Sequence, residues 1–401
     1  MIGIELEKAI SLIEENINEI IESQEIELIN GNRRVLMEDI YAPINNPPFN
    51  RSPLDGYALR SKDTKGANKN NSIKLKVIDE VFAGSYSNKV LNKGEAIRIM
   101  TGAKIPEGAD CIIRQENTNE GMDIVEIYEE LSKYDNYCCM GEDINKGTLL
   151  MKKGEVLSYV HIGVLSSMGF NKVKVKRLPR VALFATGDEV CKPGEALKEG
   201  KIYDSNLHLI YSRLFEFGIV PKIYEIIGDS YEELSKRIEE VIEDVDIVIT
   251  TGGVSVGKKD ILHEALPLIN AKRIFWKVKL KPGTPAMFSL YKNKPILSLS
   301  GNPFAATTTF ELLGRPALAK LSGNSNINIK RVKAIMESDF NKASNVRRFI
   351  RGSYENGKVK LLNNKHSSGM LWSMIGCNAL IDIKAGSKKL SVNEEVNIIL
   401  L

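Results

Sequence analysis

"VITTGGVSVGKKD", residues 248–260, decides how the rest of the chain is read. An apolar, β-branched run enters a loop holding Gly252, Gly253, Ser255 and Gly257, and Asp260 follows where a helix begins. Glycine lets backbone N–H groups come close to an anion, and a following helix presents its positive end. The stretch reads as a strand, an anion-cradling turn and a helix. It is not a Walker A motif, because no Gly-Lys-Ser/Thr closes it, and it is not GxGxxG.

Working outward, "RVALFAT" is an apolar strand, "SNLHLIYSRLFEFG" an amphipathic helix closing on Gly218, and "IVPKIYEII" a strand. "SYEELSKRIEEVIEDV" is a helix with Ser230 as cap and Glu233 three residues on, and "DIVITT" is a buried strand. This βαβαβ series over 180–314 predicts a parallel-rich sheet covered by helices. Ligands of such sheets lie beyond the carboxyl ends of the strands. Three loops leave those ends: "ATGDEV" (185–190), "TTGGVSVGKKD" (250–260) and "LSGNPFAA" (299–306). Their backbone donors suit phosphate, whereas Asp188, Glu189 and Asp260 do not. Either a divalent cation, most simply Mg²⁺, stands between carboxylates and phosphate, or Asp188 and Asp260 only cap helices.

Two further stretches carry charge in unusual places. In "FWKVKLKPGTPAMF" (275–288) an extended backbone would put Lys277, Lys279 and Lys281 on one face. An anion facing them would offset their repulsion, and a solvated edge strand is the alternative. In "PPFNRSPLDGYALR" (47–60), Asp55 stands in a proline-rich turn, where rigid backbone holds a carboxylate exposed.

The remainder bounds the class. With 401 residues, 43% of them hydrophobic, the chain can bury several cores, and more than one domain is expected. Leu6, Ile10, Ile13, Ile17 and Ile20 recur at helical spacing and predict a helix of about five turns. Residues 72–131 read as a small all-β module, "HIGVLSSMGF" as a short helix, and the tail from 327 as a small closing β-barrel or sandwich. The 55 basic and 51 acidic residues nearly cancel, which argues against a nucleic-acid partner. No apolar run approaches the roughly 18 residues of a membrane span, the start carries acids, and a soluble cytoplasmic protein is expected. Cys111, Cys138, Cys139, Cys191 and Cys377 lack CxxC spacing and the four histidines form no HExxH, so a zinc site is not expected.

Taken in order, "PPFNRSPLDGYA", "IRIMTGAKIPEGADCIIRQE", "GEDI", "ATGDEV", "YDSN", "DIVITTGGVSVGKKD", "FWKVKLKPG", "SGNPFAA" and "SSGMLWSMIGCNALI" resemble the molybdopterin molybdenumtransferases, the family that includes the E domain of gephyrin. The resemblance covers nearly the whole chain. It implies an elongated helical region (1–26 and 140–177), an inserted β-rich module (27–139), a molybdopterin-binding α/β domain (178–326) and a C-terminal β-barrel domain (327–401). It also implies a homodimer whose cleft takes the inserted module of the other subunit, which is how Asp55 would reach the site.

The implied reaction takes adenylylated molybdopterin and molybdate with Mg²⁺ and releases AMP and molybdenum cofactor. The molybdopterin adenylyltransferase and acceptor molybdoenzymes are the implied partners. By motif position, Asp55, Thr101, Glu189, Asp229, Asp260, Lys277 and Lys281 are the implied catalytic residues, with Glu189, Asp229 and Asp260 for Mg²⁺. Gly252, Gly253, Ser255, Gly257, Lys279, Gly301, Asn302, Pro303 and Ser368 are implied for substrate binding, and Lys281, Thr284, Arg347 and Arg351 for the oxyanion. Three positions depart from the family pattern: Thr284 replaces a lysine, Cys138 an arginine and Ala305 a small hydroxyl residue. Lys279 would compensate for the lost charge. A tungstate-preferring or weakly active paralogue, a nucleotide pyrophosphatase-like enzyme and a gephyrin-like scaffold are the alternatives.

Overall fold

A computed structural model describes residues 1–224, 226–255, 261–362 and 367–401. Its centre is a seven-stranded sheet in the order Ile2–Ile4, Lys272–Val278, Met287–Tyr291, Lys294–Leu299, Ile247–Thr251, Val181–Ala185, Lys222–Ile223. Only Met287–Tyr291 runs antiparallel to its neighbours; the other pairings are parallel. Along Val181–Ala185 every residue is buried, as a strand covered on both faces requires. Val181, Leu183 and Ala185 face Asn206–Glu216 and the helical run from Pro303, while Ala182 and Phe184 face Tyr231–Val241 and Leu262–Leu268. Ser230 caps its helix as read, its Oγ accepting from Glu233 N at 3.2 Å.

The first sixteen residues differ from expectation. The helix is Leu6–Asn16, about three turns rather than five, and the strand before it is an edge of the central sheet. Leu6, Ala9, Leu12 and Ile13 pack into the α/β core. Ile17 has an extended backbone, and Ile20 N donates to Leu321 O, so both reach the core without helix. Tertiary packing overrides the periodic pattern here. The elongated region pairs Ser23–Glu27 with Lys172–Lys176 and Ile40–Tyr41 with Leu149–Met151, beside the helix Tyr159–Ser167.

The inserted module is a five-stranded sheet, Cys111–Arg114, Gly56–Leu59, Glu95–Ile99, Ile73–Val81, Ile124–Ile127, with apolar clusters on both faces. The tail forms a closed sheet of five strands, since Arg347–Glu355 pairs with both Lys358–Leu361 and Ala379–Ile383. Leu280–Lys281 joins this barrel beside Arg347–Glu355, immediately after Lys272–Val278 leaves the central sheet.

The connector into the α/β domain is fastened by charge. Asp246, nearly buried, accepts from Arg177 at 2.6 Å and from Arg180 N at 2.7 Å. Burial pushes its carboxyl up, and the bonds from Arg177 and Arg180 outweigh this and hold it below its ordinary 3.8. A depressed carboxylate stabilises the fold above its unfolded pKa and loses that contribution as pH falls through the folded value. Asp246→Ala is expected to cost about 3 kcal/mol in urea unfolding at pH 7, and the difference from wild type should shrink below about pH 4.

Candidate functional site

The three loops sit on neighbouring strands and converge. Thr186 N donates to Thr251 O at 2.9 Å and Gly252 N to Leu299 O at 3.1 Å. A Cβ on Gly252 would stand 2.5 Å from Thr186 O, and its φ is +93°, so both space and backbone demand glycine there. A Cβ on Gly301 would lie 3.5 Å from the Gly252 Cα, which measures how close the second and third loops come. Gly253 has φ +62°, Ser255 is exposed, and Gly257 and Asp260 fall outside the described residues. Pro303 starts a helix whose Phe304 N–H donates to Ser368 O at 3.0 Å. Asn302 lies beside Gly369, so the expected Ser368 and Asn302 come together.

The acidic group lies at the outer side of the crevice. Asp188 and Glu189 are exposed, Asp229 is half-buried, and Asp188 Oδ1 accepts from Asp229 N at 2.8 Å. Beside them is a cavity of about 370 Å³ lined by Gly187, Asp188, Lys192, Lys198, Lys201 and Gly228 among others. Among the described residues no group of three or more His, Cys, Asp or Glu side chains is arranged to hold a metal.

The three lysines do not share a face. Lys277 has φ +64°, which breaks the alternation an extended strand would impose. Its Nζ lies 4.2 Å from the Trp276 ring centroid, and Trp276 Nε1 donates to Val254 O at 3.0 Å, so Lys277 stands by the glycine loop. Lys279 is turned to the amino-terminal strand, its Nζ 2.8 Å from Glu5 and its N–H bonded to Ile4 O. That exposed pair gives Lys279 a carboxylate partner at the amino-terminal strand. Lys281 is exposed on the turn that meets the third loop: a Cβ on Gly283 would stand 2.4 Å from Thr309 Cγ2 and 3.2 Å from the carbonyl of the buried Ala305. Thr284 spends its hydroxyl donor on Leu280 O at 2.5 Å, leaving none for an oxyanion.

The two barrel arginines have different employment. Arg347 gives Nε and Nη2 to Asp382 at 2.7 and 2.6 Å and Nη1 to Glu7. Bonding to Asp382 raises its pKa, burial opposes this, and Glu7 adds to the rise. Its guanidinium therefore fastens the first helix to the barrel, with three of its five N–H donors engaged by carboxylates. Arg351 is fully buried, stacks 3.6 Å from the Phe304 ring centroid, and donates from Nη2 to Ser367 O and Met370 O. Its Nε and Nη1 have no hydrogen-bond partner among the described residues, and burial lowers its pKa.

Asp55 and Thr101 are exposed on the inserted module. Asp55 Oδ1 accepts from both Thr101 N and Thr101 Oγ1 at 2.7 Å, and these bonds hold the carboxyl below its ordinary range. Among the described residues no hydrogen bond or ion pair ties the two to the crevice. Cys138 is bridged to Arg51 by two backbone bonds of 2.9 and 3.1 Å, so a cation stands opposite the position where the family pattern has arginine. Sequence reasoning passed over Asp204 and Asn206, although "YDSN" was visible; Asn206 Nδ2 donates to Gly301 O at 2.7 Å.

A parallel-rich α/β domain with a glycine-built crevice, accompanied by an inserted β module and a small barrel, defines the class of multidomain α/β protein. The chain matches the MoeA N-terminal region (domain I and II) at residues 4–169, the probable molybdopterin binding domain at 182–320, and the MoeA C-terminal region (domain IV) at 333–401. It is 37% identical over 369 residues to molybdopterin molybdenumtransferases of Staphylococcus epidermidis and Staphylococcus aureus, covering 91% of this chain and 88% of each relative. The molybdopterin biosynthesis MoeA protein of Pyrococcus horikoshii OT3 has a TM-score of 0.84 at 32% identity, covering 100% of both chains. The chain belongs to the MoeA family of molybdopterin molybdenumtransferases and is a transferase of molybdenum cofactor biosynthesis.

Gly252 and Gly301 separate the roles of the loops. Gly252→Ala meets backbone oxygen at 2.5 Å and is expected to abolish phosphate-ligand binding in calorimetry and to cost about 1–3 kcal/mol of stability. Gly301→Ala has ordinary contact distance and a negative φ, and is expected to melt within a few degrees of wild type.

Proposed function

We propose that the protein inserts molybdate into adenylylated molybdopterin, releasing AMP, and that it does so as a homodimer. The observation that carries this reading is the meeting of the glycine loop, the third loop and the lysine-bearing turn at one crevice. Backbone donors at Gly253, Gly301 and Asn302 suit the phosphates of the pterin and its adenylate. Lys277 beside the glycine loop and Lys281 beside the third loop suit the charge that develops as the phosphoanhydride opens.

Asp188, Glu189 and Asp229 lie at the outer edge, and oxygen ligands of this kind suit a hard cation. The donor set fits Mg²⁺ with Glu189 and Asp229 as ligands together with substrate phosphate, Asp260 being the further candidate. Bound there, Mg²⁺ would supply positive charge to the phosphoanhydride. Molybdate is the second substrate, with Lys281 and Ser368 around its place. Asp55 and Thr101 would enter from the partner subunit, which fits their exposure and their mutual hydrogen bonds. The described residues contain no helix long and apolar enough to cross a membrane, and the near-balanced charge fits a cytoplasmic enzyme without a nucleic-acid partner.

Purified protein with adenylylated molybdopterin and Mg²⁺ is expected to release AMP in proportion to added molybdate, with Lys281→Ala slower by about 100-fold. Tungstate in a parallel titration measures oxyanion preference. Absence of AMP release with either oxyanion, from a protein that still binds the pterin, would refute the transferase reading and favour a scaffold.

A further inference from the structure

The turn that carries Gly301 is held from behind by a side chain outside the three loops. Asn206, 8% exposed, donates from Nδ2 to Gly301 O at 2.7 Å. A second buried residue sets Asn206 in place: Asp204 accepts with Oδ1 from Asn206 N at 2.9 Å and from Leu207 N at 3.2 Å, and its own N–H donates to Cys191 O at 2.9 Å. Asn206 Oδ1 and Asp204 Oδ2 are buried without a partner among the described residues. The amide's orientation is therefore decided by the Gly301 carbonyl alone, since flipping it would set oxygen against oxygen.

The peptide between Gly301 and Asn302 is planar and trans, so its carbonyl and its N–H point in opposite directions. Fixing Gly301 O against Asn206 fixes the Asn302 N–H on the far side. The contact of that N–H, with Ser300 Oγ, is long at 3.4 Å and readily exchanged for a better acceptor. We propose that Asn206 is a positioning residue that holds the Gly301–Asn302 peptide so that Asn302 N–H meets a phosphate oxygen of the substrate, with Asp204 orienting Asn206. This rests on the reading of the loops as a phosphate cradle and names the peptide that does the work. Two unpartnered acceptors are a cost that packing for stability alone would avoid, and they are kept where they aim a loop.

Inorganic pyrophosphate with Mg²⁺, titrated calorimetrically into the full chain from pH 5 to 8, is the probe. Asn206→Ala is expected to bind at least about 10-fold more weakly while melting within a few degrees of wild type. Asn206→Asp should bind more weakly still at pH 8, where a carboxylate faces the Gly301 carbonyl. It should recover toward wild type at pH 5, where a protonated carboxyl donates to that carbonyl. A purely structural role would give no such recovery. Unchanged affinity in Asn206→Ala, or an Asn206→Asp profile parallel to that of Asn206→Ala, overturns the proposal. A wild-type protein that binds no pyrophosphate overturns the cradle and this proposal together, whereas failed AMP release with pyrophosphate still bound strikes the transferase reading alone.

Discussion

One stretch of backbone, Lys272–Lys281, belongs to two sheets, and the arrangement of the molecule depends on it. Its first seven residues are a strand of the central sheet and Leu280–Lys281 is a strand of the barrel. Phe275, Val278 and Leu280 are fully buried, and each such side chain contributes about 1.5–3 kcal/mol of apolar burial. The segment cannot slide without uncovering them, because a one-residue slip in a strand turns every side chain to the opposite face. It is thereby fixed relative to both domains, and so are the lysines it carries. The left-handed backbone at Lys277 is the local cost of passing from one sheet to the other.

The parts of this design that follow from local chemistry were legible. Buried β-branched strands alternating with amphipathic helices, the Ser230 cap and the glycine at 218 all act within a few residues, so the α/β domain could be read directly. The glycine loop was legible for the same reason. What misled was any rule that assumes an uninterrupted element. The apolar spacing from Leu6 to Ile20 is helical as far as Asn16, after which burial is achieved by extended chain. The lysine alternation assumed a straight strand, which Lys277 interrupts.

Other outcomes depend on residues far away in sequence, where no pattern could speak. Arg347 and Arg351 stand four apart on one strand and look interchangeable, yet Arg347 meets Asp382 and Glu7 while Arg351 meets only backbone carbonyls and a phenylalanine ring. Lys279 looked like a free cation facing a ligand until the fold brought Glu5 to it. Glu5 for Lys279 and Glu7, beside Asp382, for Arg347 come from the first seven residues, which the sequence placed in another region. Folding those residues into the central sheet redistributes the charge of the whole cleft.

That redistribution explains where positive charge is left available. Glu5 and Glu7 neutralise Lys279 and Arg347 at the outer side of the domain junction, whereas Lys277, Lys281 and Arg351 have no carboxylate partner among the described residues. Arg351 is the extreme case: a buried guanidinium with two donor atoms unpaired costs free energy that the Phe304 ring and two carbonyls only partly offset. Phe304 follows directly on the Gly301–Pro303 turn, and its N–H is bonded to Ser368. The barrel therefore reaches the third loop through a charge it cannot fully satisfy by itself.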